Sequence, residues 1–140
     1  MSMGFGAFAN KIIDDGESVL YEYSSYNLND EKYNNKSRIS DGVIIIQKEC
    51  FVEPEIHEKI KKLPSGKKKR KKLITKIIPV DVDYGAFLEE GKIIIENCSN
   101  CWHKVANELQ IDEMACHMLY YIFYQYQICG KIPETLELLY

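Results

Sequence analysis

Arginine is scarce in this chain: Arg38 and Arg70 stand against sixteen lysines. Tryptophan occurs once, histidine three times and proline four times. The densest apolar stretch, Met118 to Tyr126, is about half tyrosine and glutamine, far short of the ~20 apolar residues that span a membrane. The first ten residues have neither a basic lead nor a long apolar region, so they do not read as a secretion signal, and the expected location is the cytoplasm. There is no phosphate-binding glycine loop, no GxSxG and no HExxH, which removes the sequence support for nucleotide hydrolysis, nucleophile-elbow chemistry and zinc peptidase chemistry. Five cysteines, Cys50, Cys98, Cys101, Cys116 and Cys129, are an odd number in a core-forming chain. Free thiols are expected rather than a disulfide framework.

What is present fits one domain over residues 1–140. The apolar fraction is 46% and the charged fraction 28%, ordinary values for a globular chain able to bury one core. Lys, Ile, Asn and Tyr together supply 52 of 140 residues, a bias of AT-rich codons that points to a low-GC bacterium or its phage. The net charge of −3 hides a division. Residues 59–76 hold ten of the 18 basic residues and no acidic one, leaving 8 basic against 21 acidic residues elsewhere, a net of −13. An acidic body carries a basic arm, and such asymmetry bears on partners and association rates rather than on fold.

Periodicity sets the expected elements. Phe5, Phe8, Ala9, Ile12 and Ile13 recur at helical spacing, which predicts an N-terminal amphipathic helix stopped by Asp14-Asp15-Gly16. Val19 to Tyr26 alternates and reads as a half-buried strand. The continuous run Val43 to Ile46 reads as a strand covered on both faces and is expected to pair with the strand before it. Pro54 and Glu55 suit a helix start, with Ile56, Ile60 and Leu63 on one face. Leu73 to Ile78 and Lys92 to Glu96 read as strands, and Val80 to Tyr84 as extended. Glu89-Glu90-Gly91 is a turn.

A short helix is expected through Trp102, Val105, Ala106 and Leu109, capped by Ser99 or Asn100. A longer one, Glu113 to Cys129, is capped by Asp112 and closed by Gly130, with Ala115, Met118, Leu119, Ile122, Tyr126 and Cys129 as its core stripe. Ile132-Pro133-Glu134 opens a terminal helix or turn. The class is α+β: about four largely antiparallel strands backed by a single layer of C-terminal helices.

Four features bear on function. Cys98 and Cys101 have zinc-ligand spacing, with His103, Cys116 and His117 nearby in sequence. The second half of a zinc motif is missing, and adjacent Cys116 and His117 diverge by about 100° on a helix; packed thiols are the expected state, with no metal and no cofactor. His57 reads as a surface histidine, and the pair Asp81 and Asp83 as solvated acids on one face of an edge strand. No catalytic residue is assigned, and an enzyme is not expected. The run Lys67, Lys68, Lys69, Arg70, Lys71 and Lys72 forms an exposed basic loop at 64–72. It could attract phosphates, but it lacks interleaved aromatics and adjoins an acidic body. Tyr120, Tyr121 and Tyr124 lie off the core stripe, where tyrosine serves either packing or an interface.

The segments Tyr21-Glu22-Tyr23, Tyr26-Asn27, Asp41-Gly42 to Ile46, and Asn97-Cys98-Ser99-Asn100-Cys101-Trp102 resemble a family of small proteins of low-GC Gram-positive bacteria. In type the chain is similar to immunity proteins of polymorphic-toxin and contact-dependent inhibition systems. That resemblance implies a protein-binding function against a cognate toxin. Charge agrees, since an acidic inhibitor is steered to a basic target. The expected contacts are Asp81, Asp83, Glu89 and Glu90, Tyr120 and Tyr124, with Lys67 to Lys72 clamping an acidic rim. The alternatives are a nucleic-acid-associated accessory or phage protein using the basic loop, and a small zinc protein or enzyme centred on Cys98 and Cys101.

Overall fold

A computed structural model describes the backbone of residues 3–63, 70–105 and 109–140, and side chains within these except for 60–63 and 70–72. Among the described residues, seven strands and two α-helices run in the order β1 (Phe5–Asp14), β2 (Ser18–Asn27), β3 (Gly42–Gln47), β4 (Glu55–Leu63), β5 (Arg70–Ile78), α1 (Tyr84–Glu89), β6 (Ile93–Glu96), α2 (Glu113–Cys129) and β7 (Thr135–Leu139). The class is α+β. A five-stranded antiparallel sheet has the order β6-β3-β2-β1-β7, and β4-β5 forms a separate two-stranded ribbon.

The core lies between α2 and one face of the larger sheet. Val19, Tyr21 and Tyr23 of β2 alternate onto that face with Ile44, Ile46 and Ile93 from the strands beside them, all essentially buried. Ala7 and Ala9 continue the face on β1, and Leu136 and Leu138 complete it on β7. Against it α2 buries Met114, Ala115, Met118, Leu119, Ile122, Phe123 and Gln127. Each fully buried large apolar side chain contributes about 1.5–3 kcal/mol. The opposite face is covered in part by the connection after β2. Asn35 donates to Ser24 Oγ at 3.0 Å, and the Arg38 guanidinium lies 4.1 Å from the Phe8 ring centre.

The long helix, its Asp112 cap and its Gly130 terminus are as the sequence predicts. Gly130 takes φ 72° and its N–H reaches the Tyr126 carbonyl, the left-handed closure that glycine adopts without a Cβ clash. The stripe itself is rotated. Tyr126 is half-buried and Cys129 exposed, while Met114, Phe123 and Gln127 are buried instead. The β2 and β3 pairing is also as expected.

Three segments expected as helices, and the expected terminal helix or turn, take other forms where they are described. Phe5 to Asp14 is β1, a central strand whose ladders to both β2 and β7 satisfy its backbone. A register shift between Lys11 and Ile13 breaks the alternation and leaves Ile12 and Ile13 exposed, which makes the apolar spacing look helical. Gly6 marks how closely the strands meet, since a Cβ there would lie 2.1 Å from the Leu138 carbonyl oxygen.

Glu55 to Leu63 is β4, with Ile56 opposite Ile77 and Ile60 opposite Leu73. A spacing of four residues is shared by a helix face and a strand face, so only Leu63 distinguishes the two periods. Trp102 to Val105 is extended, with Lys104 bridged to Asp112 and the Val105 N–H bonded to the Ile111 carbonyl at 2.8 Å; the remainder of that expected helix, 106–108, lies outside the described residues. Thr135 to Leu139 is β7, where Leu136 and Leu138 alternate inward.

Met118 is fully buried at the middle of α2. Met118→Ala is expected to lower unfolding free energy by about 2–5 kcal/mol, measured by urea titration, with the largest loss if the cavity fails to collapse.

Candidate functional site

Two constellations stand out, one buried and one open. The buried one is built on the junction between β6 and α2. Asp112 is completely buried because it caps α2: its Oδ1 accepts the Met114 N–H at 3.0 Å. Its Oδ2 faces β2, accepting from Ser25 Oγ at 2.9 Å and Tyr23 Oη at 3.1 Å, with the Cys98 thiol at 3.5 Å. Tyr23 Oη in turn accepts the Cys98 N–H at 3.1 Å. Asn97 holds the Asp112 N–H at 2.8 Å and donates to the Gln110 carbonyl at 2.9 Å.

Burial raises the Asp112 carboxyl above its ordinary 3.8 despite these donors, and burial raises the Cys98 thiol as well. Burial likewise pushes the Cys101 thiol up to about 12. High thiol pKa values oppose thiolate chemistry. The histidines are engaged elsewhere: His103 pairs with Glu113 at 2.9 Å, His117 meets Tyr140 Oη at 3.1 Å, and His57, on exposed β4, pairs with Glu55 at 3.1 Å. Among the described residues no group of three or more His, Cys, Asp or Glu could hold a metal ion, and all five cysteines are free. The buried cluster acts as a clasp, joining β2, the Cys98 turn and the start of α2.

The open constellation is a groove of about 490 Å³ between α2 and the segment that leaves the ribbon. Pro79 to Asp83 forms one wall, with Tyr84 and Gly85 beyond it; Tyr120, Phe123, Tyr124 and Gln127 form the other. Gln127 fixes the two walls, because its amide accepts the Val80 N–H at 2.7 Å and donates to the Val80 carbonyl at 3.0 Å. The other end of the ribbon is tied to the same helix through Tyr126 Oη, which donates to Glu53. Tyr84 stacks on Phe123 at 6.4 Å and 20°, so the two walls also meet through an aromatic pair.

Tyr120 and Tyr124 stack on each other at 6.1 Å and 14° and are 51% and 42% exposed. Packing therefore does not consume them. Asp83 Oδ1 accepts the Ala86 N–H at 3.1 Å and caps α1, and Asp81 is exposed with no hydrogen-bond or ion-pair partner among the described residues.

Of the residues singled out in the sequence, Asp81, Asp83, Tyr120 and Tyr124 line this one groove. The two acids do not lie on an edge strand as expected; they sit in an irregular segment leading into α1. Glu89 and Glu90 lie outside the groove at the end of α1, where Glu90 pairs with Lys92 at 3.2 Å. Lys67, Lys68 and Lys69 lie outside the described residues, and for Arg70, Lys71 and Lys72 only the backbone, as the start of β5, is described. Sequence reasoning missed Tyr84, Phe123 and Gln127. The sole available signal was Gln127 falling on the inner side of α2, where a polar side chain needs a partner.

Comparison with family models, characterised proteins and solved structures finds no significant match. No described helix is long and apolar enough to cross a membrane.

The raised Asp112 carboxyl carries a pH signature. Between 3.8 and its higher folded value the native state binds more protons than the unfolded chain, so this group's contribution to stability is greatest in acid and falls as pH rises through that window. Asp112→Asn removes the titration. Its destabilisation relative to the parent chain is expected to be larger near pH 4 than near pH 7 by urea titration, whereas a pH-independent penalty contradicts the assignment.

Proposed function

We propose that this chain acts by binding a protein partner, with no catalysis of its own, and that the partner is a basic protein it neutralises in the manner of an immunity protein. The observation that carries the reading is the groove, whose lining brings together two acidic residues, Asp81 and Asp83, and two exposed, nearly parallel tyrosines, Tyr120 and Tyr124. Tyrosine provides contact area at low entropic cost, and acidic groups steer a basic partner and select against an acidic one. The body outside residues 59–76 carries a net charge of −13, so the long-range field agrees with the local one.

The test is co-expression with the product of the adjacent upstream reading frame, followed by gel filtration and titration calorimetry. A stoichiometric complex that survives raised salt is expected. In Asp81→Lys/Asp83→Lys the affinity is expected to fall by about ten- to a hundredfold. Absence of a complex, or unchanged affinity in the double variant, would remove the reading.

One observation favours a second reading. Seven of the ten basic residues of 59–76 lie on the β4-β5 ribbon, whose strands pair only with each other among the described residues, while 64–69 of the expected basic loop lie outside those residues. A two-stranded ribbon is one of the shapes that enters a DNA major groove. On this reading duplex DNA binds with an affinity that falls log-linearly with salt, and Lys59→Glu/Lys76→Glu weakens it uniformly across sequences. Fluorescence anisotropy checks both outcomes.

A further inference from the structure

The groove also limits what kind of side chain it accepts. We infer that its occupant is an arginine side chain presented by a partner protein, the guanidinium lying against Tyr120 and Tyr124 and facing Asp81 and Asp83. This rests on the binding reading above for the partner's presence, and adds the chemistry of the contact.

Three observations combine. First, the Tyr120 and Tyr124 rings are nearly parallel, with 14° between them, and both side chains remain about half exposed, although Tyr120 also meets Tyr121 at 5.3 Å and 86°. A ring face attracts a cation, and a planar guanidinium stacks on it better than a compact ammonium does. Second, the acids on the facing wall supply the counter-charge. Asp83 spends Oδ1 on the α1 cap and Asp81 has no partner among the described residues, so oxygens remain for the donors of a guanidinium. Third, at about 490 Å³ the opening has room for one long side chain and the backbone that carries it, within the size range of selective ligand sites.

Rigidity strengthens the case. The double hydrogen bond between Gln127 and Val80 sets the width of the opening before anything binds, so little ordering is needed on entry. An acidic side chain would meet repulsion from the wall that carries Asp81 and Asp83, and an apolar one would leave those carboxylates to be desolvated without compensation.

The test uses the full chain, isotopically labelled, in nuclear magnetic resonance titrations. The probes are N-acetyl-arginine amide, N-acetyl-lysine amide, N-acetyl-citrulline amide and free L-arginine. Saturable shifts confined to Val80–Gly85 and Tyr120–Gln127 are expected with the arginine amide. Binding of the lysine amide is expected to be several-fold weaker, and that of the uncharged citrulline amide at least about tenfold weaker.

Tyr124→Leu, at an exposed position, and Asp81→Asn/Asp83→Asn, which keeps a capping oxygen for α1, should each weaken arginine binding while leaving the spectrum dispersed. Equal binding of citrulline and arginine amides, or shifts outside the groove, would overturn the proposal. Tighter binding of free arginine than of the amide would overturn its assignment to a protein-borne side chain. A partner complex that is retained while the arginine amide fails to bind removes this inference and leaves the binding function. Binding of the amide with no partner complex does the reverse.

Discussion

The placement of every surface discussed above depends on where α2 begins, and that is set by one buried carboxylate. Asp112 joins three separate pieces of chain: the first turn of α2 through Met114, the central strand β2 through Tyr23 and Ser25, and the Cys98 turn that follows β6. A fully buried carboxyl without donors would be strongly unfavourable, so the three attachments are mutually required. Tyr23 serves twice, donating to Asp112 and accepting from the Cys98 backbone. With the helix start fixed at this point, the 3.6-residue period places Met118 and Ile122 over the sheet and leaves Tyr120 and Tyr124 facing outward.

The far half of the same helix performs a different task. Tyr126 and Gln127 hold the two ends of the ribbon, one before β4 and one after β5. Phe51 packs edge-on against both Phe123 and Tyr126 at 5.2 Å, extending the core to the ribbon's base. The groove is therefore a by-product of anchoring: bringing the returning chain back to α2 creates an opening lined by whatever that segment carries, here Asp81 and Asp83. Binding surface and architecture share residues, so side chains with no ligand contact can still set the width of the site.

The α+β class, β2, β3, β5, β6 and both ends of α2 were legible because each rests on a local signal: alternation, a continuous β-branched run, or a capping pair. The failures share a physical origin. β1 is defined by partners more than a hundred residues away on one side, and its bulge erased the period-two pattern. β4 shares its i, i+4 spacing with a helix, and its preceding proline and glutamate fit either start. For β7, Leu136 and Leu138 carried the correct alternation, but Pro133 drew the reading towards a helix start.

The groove was half legible. Charge and exposure identified two acids and two tyrosines, yet their meeting depends on the Gln127–Val80 clamp, a long-range contact that no local pattern encodes. The clasp was recognised only as a cap, since nothing near Asp112 in sequence announces Tyr23 or Ser25.

The length of the ribbon changes how the molecule's charge should be understood. Nine residues of β-structure extend about 25–30 Å, while ions screen charges over about 8 Å at physiological strength. The positive far end of β4-β5 and the negative groove at its base are thus several screening lengths apart. They do not neutralise one another, and the net charge of −3 describes neither. At physiological salt a charged surface therefore senses the lysine-rich end of the ribbon and the acidic residues at its base separately.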